Sequence, residues 1–120
     1  MKPNQLEERL IQFAIDIILI CKKIDKSFGS QHLAKQLIRS ATSSALNYGE
    51  ARSGESTIDF LHKMKICLKE LRESYINMKI QKGAALITDS HFFEILLKEN
   101  DELISIFVAS IKTASLNKQS

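Results

Sequence analysis

Asp59 and His62, three residues apart, come nearest to the Glu-x-x-His spacing with which carboxylate-bridged di-metal bundles bind their ions. Such a centre needs two of those pairs and two further glutamates on facing helices, and the sequence supplies neither. His32, His62 and His91 fall in separate segments without ligand spacing, which makes them surface or cap histidines. Ser115 and Lys118 match the letters of a Ser-x-x-Lys nucleophile motif, yet they stand at the end of the chain without its companion motifs. The run Ser40, Ala41, Thr42, Ser43, Ser44, Ala45 offers hydroxyls, but no histidine is placed in sequence to activate one. Short side chains that let a neighbouring helix approach are the better account of that run. Cys21 and Cys67, each alone in a helical segment, read as buried free thiols in a reducing, cytoplasmic compartment. The expectation is a protein that is not an enzyme and holds no metal and no cofactor.

The remaining chemistry is charge. Lys and Arg number 17 against 14 Asp and Glu, a net +3 that alone says little about partners. Its distribution is uneven: the stretch 21–82 is rich in Lys and Arg, whereas the segments on either side are mostly acidic. Lys65, Lys69, Arg72 and Lys79 recur at helical spacing and are expected to form one basic ridge able to hold a phosphate backbone. Glu70 and Glu73 nearby leave a second account open, that of a solvated helix face.

Helices must position these groups. The only proline is Pro3 and the four glycines sit near segment ends, which leaves long uninterrupted helical stretches. A first helix over about 5–24 carries Leu6, Leu10, Phe13, Ile17, Ile20 and Ile24 along one face. A turn at 25–29 leads to a second helix over about 30–53, with Ser30 as its N-cap and Leu33, Leu37, Ala41, Ala45 and Tyr48 inward. The third, over about 57–83, opens on Ser56 and Asp59, steps through Thr57, Leu61, Met64, Leu68, Leu71, Tyr75 and Met78, and is closed by Gly83. The fourth, over about 90–116, carries Phe93, Leu96, Leu97, Ile104, Phe107 and Ile111. Asn100 interrupts that stripe, either as a buried polar residue fixing register or as a residue facing water at a bundle end. Short turns between four such helices predict one all-α domain over 1–120, an antiparallel up-down-up-down four-helix bundle. No signal peptide or membrane-spanning run is evident, so no membrane partner is expected.

Two helices have more apolar surface than one core consumes. Ile11, Ile15 and Ile18 lie nearly opposite the core stripe of the first helix, and Ile58, Ile66, Ile76 and Ile80 lie off the core register of the third. Contiguous exposed isoleucines mark association surfaces, which predicts a homo-oligomer with Ile11, Ile15, Ile18, Ile76 and Ile80 at its contacts.

Two segments carry a likeness to a known family: Gln36-Leu-Ile-Arg-Ser-Ala-Thr-Ser-Ser-Ala-Leu-Asn-Tyr-Gly-Glu-Ala51 and Asp59-Phe-Leu-His-Lys-Met-Lys-Ile-Cys-Leu-Lys-Glu-Leu-Arg-Glu73. They resemble the bacterial four-helix bundle proteins of the 23S rRNA intervening-sequence protein family, through Arg39-Ser40, Ser43, Asn47 and Glu50 above all. Leu46 replaces the small residue usual before the Asn, and Ser44 stands where Ile or Val is common. The resemblance implies a closed bundle, often a ring-shaped homopentamer, encoded in some bacteria within an insertion in a large-subunit rRNA gene. A related branch, the accessory variability proteins of diversity-generating retroelements, implies binding to a reverse transcriptase and to nucleic acid through a basic surface. Two functions therefore compete, a nucleic-acid or ribonucleoprotein accessory module acting on RNA or DNA, and a structural module whose partner is another protein.

Overall fold

The computed structural model describes residues 1–24 and 26–119, with the side chains of Lys118 and Gln119 left out, so the Asp25 turn position and the Ser115–Lys118 pairing lie partly outside the described residues. Its regular elements are α1 (Pro3–Cys21), α2 (Phe28–Arg52), α3 (Thr57–Gly83) and α4 (Ser90–Gln119). At about 1.5 Å per residue these helices run about 28–45 Å, whereas each connector reaches at most about 20 Å when extended. Each helix must therefore turn back beside its predecessor, and the molecule measures 51 × 21 × 20 Å. Packing follows chain order around a square: α1 touches α2 and α4, and α3 touches α2 and α4, with α2 on α3 the most extensive pair and α1 on α4 the least. This is the expected all-α bundle.

The ends follow local chemistry, and several differ from the sequence reading. Helix α1 begins at Pro3 rather than near Gln5, because proline has no amide hydrogen to leave unsatisfied at a first helical position. The Lys2 amide donates to Gln5 Oε1 at 2.9 Å, closing that end. Helix α2 starts at Phe28, not Ser30. Ser27 is the cap, its Oγ accepting from the Ser30 amide at 3.3 Å, and Phe28 and Gly29 are already helical. Ser56 Oγ accepts from the Asp59 amide at 3.1 Å and Asp89 Oδ1 from the Phe92 amide at 3.1 Å, so α3 and α4 open as read. At the end of α3 the closing residue is Ala85, at φ 57°, rather than Gly83. The Leu86 amide donates to Gln81 O at 3.0 Å and the Ala85 amide to Lys82 O at 3.1 Å, a Schellman pair built without the glycine that usually takes the left-handed position.

The core contains Leu6, Leu10, Phe13, Ile17 and Ile20 of α1, Leu37, Ala41 and Tyr48 of α2, Met64, Leu71 and Met78 of α3, and Phe93, Leu96, Leu103 and Phe107 of α4. Tyr48 meets Phe107 edge to face with centroids 5.6 Å apart. Asn100 is fully buried, its Nδ2 donating to Leu71 O at 2.9 Å, which decides between its two readings. The α2 stripe is more polar than expected. Leu33 and Ala45 are only half-buried, whereas Ser30, Ser40 and Ser44 go inside. Ser44 stays satisfied by donating to Ala41 O at 2.7 Å. The Ser40 and Ser74 hydroxyls lie 2.8 Å apart across the α2–α3 contact, each also within reach of a carbonyl on its own helix. Thr57, read as core, is exposed at the first turn of α3. Among the described residues no helix is long and apolar enough to cross a membrane.

Candidate nucleic-acid interface

The residues that hold α2 against α3 also shape the surface beside them. Arg39 reaches across to Glu73 at 3.1 Å and Glu70 at 3.5 Å, Ser40 meets Ser74, and Lys63 pairs with Glu50. Asn77 Nδ2 donates to Leu33 O at 3.0 Å, and Asn77 Oδ1 accepts from Gln81 Nε2 at 2.7 Å. Glu70 is nearly buried, and loss of hydration pushes its carboxyl above the usual range, with the neighbouring Glu73 charge adding to the rise and Arg39 opposing it. The likeness residues Arg39, Ser40, Ser43, Asn47 and Glu50 are thus largely cross-helix or intrahelical ties: Asn47 Nδ2 donates to Ser43 O at 2.9 Å and to its Oγ at 3.0 Å.

Beside this seam runs a groove of about 780 Å³, with Leu33, Gln36 and Arg39 from α2 and, from α3, Lys65, Lys69, Arg72, Glu73, Ile76, Asn77 and Ile80 over half-buried Leu68. Three of the four expected cations come together here. Lys65, Lys69 and Arg72 are exposed and make no ion pair among the described residues, whereas Arg39 is tied to two carboxylates. Lys79 does not join them: its Nζ sits 5.7 Å from the centroid of Tyr75 and it is not part of the groove lining. Ile76 and Ile80, 58% and 51% exposed, share the groove with the cations instead of forming a separate apolar patch. Ile11, Ile15 and Ile18 are exposed on α1, which lies diagonally across the bundle from α3, so the two sets of isoleucines stand at opposite corners of the square. Leu19 adjoins the α1 set and is equally exposed.

Leu33 and Leu68 were read as core and Arg39 only as a likeness residue, and Gln36 was given no role, so none of the four was expected at this site. Leu33, Gln36 and Arg39 belong to it because α2 is packed closely on α3, and no periodicity within one helix carries that signal. His32 stacks on Phe28 with centroids 6.4 Å apart, and His62 and His91 are exposed on other helices. Among the described residues no three His, Cys, Asp or Glu side chains converge. Burial pushes the Cys21 thiol up to about 11 and the Cys67 thiol to about 12.

Comparison with known proteins adds the lineage. A protein of unknown function from the S23 ribosomal protein family of Bacteroides thetaiotaomicron has a similar crystal structure. It is 26% identical, with a TM-score of 0.79 over 93% of this chain and 99% of that one. No curated protein matches. The family model described as 23S rRNA-intervening sequence protein matches residues 3–109, from the first turn of α1 to the middle of α4. With that match spanning all four helices, the chain belongs to the 23S rRNA-intervening sequence protein family.

Proposed function

We propose that the protein is a non-catalytic, oligomeric accessory factor of the cytoplasm that binds the phosphate backbone of RNA or DNA through the α2–α3 groove. The observation that carries this reading is that Lys65, Lys69 and Arg72 share one exposed groove and make no ion pair among the described residues, while nearby Arg39, Lys63 and Lys82 are all paired. Unpaired cations on one face are available to displace the counterions of a polyanion. Exposed Ile11, Ile15 and Ile18 support self-association through α1, with five subunits as the assembly the family suggests. A ring of five needs head-to-tail contacts, so the α1 stripe would meet a different patch on the next copy. Repetition of the groove around a ring would add the weak contacts of single copies into useful affinity.

The test is fluorescence anisotropy with RNA and DNA at two salt concentrations, using wild type and Lys65→Glu, Lys69→Glu, Arg72→Glu combined. Binding that falls steeply with salt and disappears in the triple variant is expected. Equal binding by the variant, or no binding by wild type at low salt, overturns the proposal. A second reading, a structural module with a protein partner only, is favoured by the α1 isoleucines and takes over in that event.

A further inference from the structure

We infer that the groove is built for single-stranded nucleic acid and discriminates against duplex, an inference that rests on the phosphate-binding reading above. The cations occupy only part of the surface. Beside them the lining has an aliphatic share, from Leu33 of α2 and Leu68, Ile76 and Ile80 of α3, next to polar Gln36 and Asn77 and the Arg39–Glu73 ion pair. A duplex keeps its base faces inside the stack and presents phosphates and mostly polar groove edges, so apart from thymine methyls and sugar carbons it has little with which to cover aliphatic side chains. A single strand exposes those base faces along with its phosphates, and it needs both an apolar surface and a row of cations.

The axial spacing fits such a strand. Lys65 and Lys69 are separated by about 6 Å along α3 and Lys69 and Arg72 by about 4.5 Å, and their long flexible side chains let the charged heads spread to follow successive phosphates. The strand would therefore run along α3 with its phosphates on the Lys65–Arg72 half and its bases continuing over Ile76 and Ile80. Gln36, on the α2 wall, makes no hydrogen bond among the described residues and offers both a donor and an acceptor to a base edge or sugar hydroxyl. No aromatic side chain lines the groove, so bases rest on aliphatic carbons without ring stacking. Each copy should then bind weakly and with little sequence preference.

The experiment compares a mixed-sequence single strand, as RNA and as DNA, with the duplex formed by annealing each to its complement, by anisotropy at the same low salt. Single strands are expected to bind about tenfold or more tighter than duplexes, with a salt slope near −2 for three cations on one groove. Ile76→Ser combined with Ile80→Ser should remove most of that preference by weakening single strands several-fold more than duplexes. Both positions are more than half exposed, so the substitution spares the core. Duplexes bound as tightly as single strands by wild type, or a preference that survives the double substitution, overturn the single-strand inference while leaving the phosphate-binding proposal standing. Absence of all binding overturns the proposal itself.

Discussion

Replacement of Ala41 by leucine probes the interior of α2, where Ser40, Ala41 and Ser44 are all at most 2% exposed. Leucine would add three carbons at a position that is fully buried, and they crowd α2 against its neighbours. Burial of three methylenes alone would be worth about 2.4 kcal/mol, but in a filled core the strain outweighs that gain, and overpacking costs about 1–3 kcal/mol net. Unfolding entropy near the midpoint is about 250 cal/mol/K for a chain of 120 residues, so this cost lowers the melting midpoint by about 4–12 °C. Differential scanning calorimetry measures it directly. Leu46→Ser, on the same helix but 69% exposed, is the control and should move the midpoint by no more than about 2 °C. If Ala41→Leu melts with wild type, the small residues of α2 are not setting its approach to the other helices, and the packing argument fails.

Four further outcomes are expected. Ala85→Gly should stabilise the protein by about 0.5–1 kcal/mol in denaturant titration, because only the alanine pays a Cβ penalty at φ 57°. Glu70 has a folded pKa raised above 4.5, so the folded state takes up the proton first. Its contribution to stability therefore grows as pH falls from neutrality through that raised value, and levels off below 4.5; Glu70→Gln should flatten this limb of the pH–stability curve. Cys67, fully buried with its thiol held near 12, should resist Ellman's reagent until the protein unfolds, whereas half-buried Cys21 should react earlier though slowly. Ile15→Lys should dissociate the assembly in light scattering, and a wild type that already scatters as a 13.6 kDa monomer at micromolar concentration would refute the α1 contact.

Much of the fold was legible because apolar spacing states which face of a helix turns inward. Leu6, Leu10, Phe13, Ile17 and Ile20 keep one stripe across α1, and every one of them is buried. Helix α2 obscured its own face, because Ser30, Ser40 and Ser44 are core residues in polar dress: each satisfies its hydroxyl locally or with another serine and then packs as a small side chain. In α3 the same holds for Glu70, Ser74, Asn77 and Gln81, which are buried against α2 through bonds to partners distant in sequence or on the neighbouring turn. The cations of the groove could be read from the spacing of α3 alone. Its opposite wall could not, since Leu33, Gln36 and Arg39 reach the site only through the pairing of two helices.

That pairing also explains why the groove keeps its free charges. An arginine beside three other cations would normally be repelled from them, yet Arg39 is held across the seam by Glu70 and Glu73 and its charge is spent there. Glu70 in turn accepts burial because Arg39 faces it, and its chain neighbour Lys69 also steadies its charge. Neutralising Arg39 at the edge leaves Lys65, Lys69 and Arg72 as the exposed positive field of this face, without a fourth like charge to oppose them. Arg39→Ala would then act in two directions at once: it leaves nearly buried Glu70 without its counter-charge, which destabilises the α2–α3 seam, and it leaves two unpaired carboxylates beside the groove. A loss of nucleic-acid affinity without any change in the three groove cations is the expected result. Because Glu73 lines the groove and Glu70 adjoins Lys69, both carboxylates act well within the roughly 10 Å screening length at 0.1 M salt, so unchanged affinity in a folded Arg39→Ala protein would show that nucleic acid is not held by this groove.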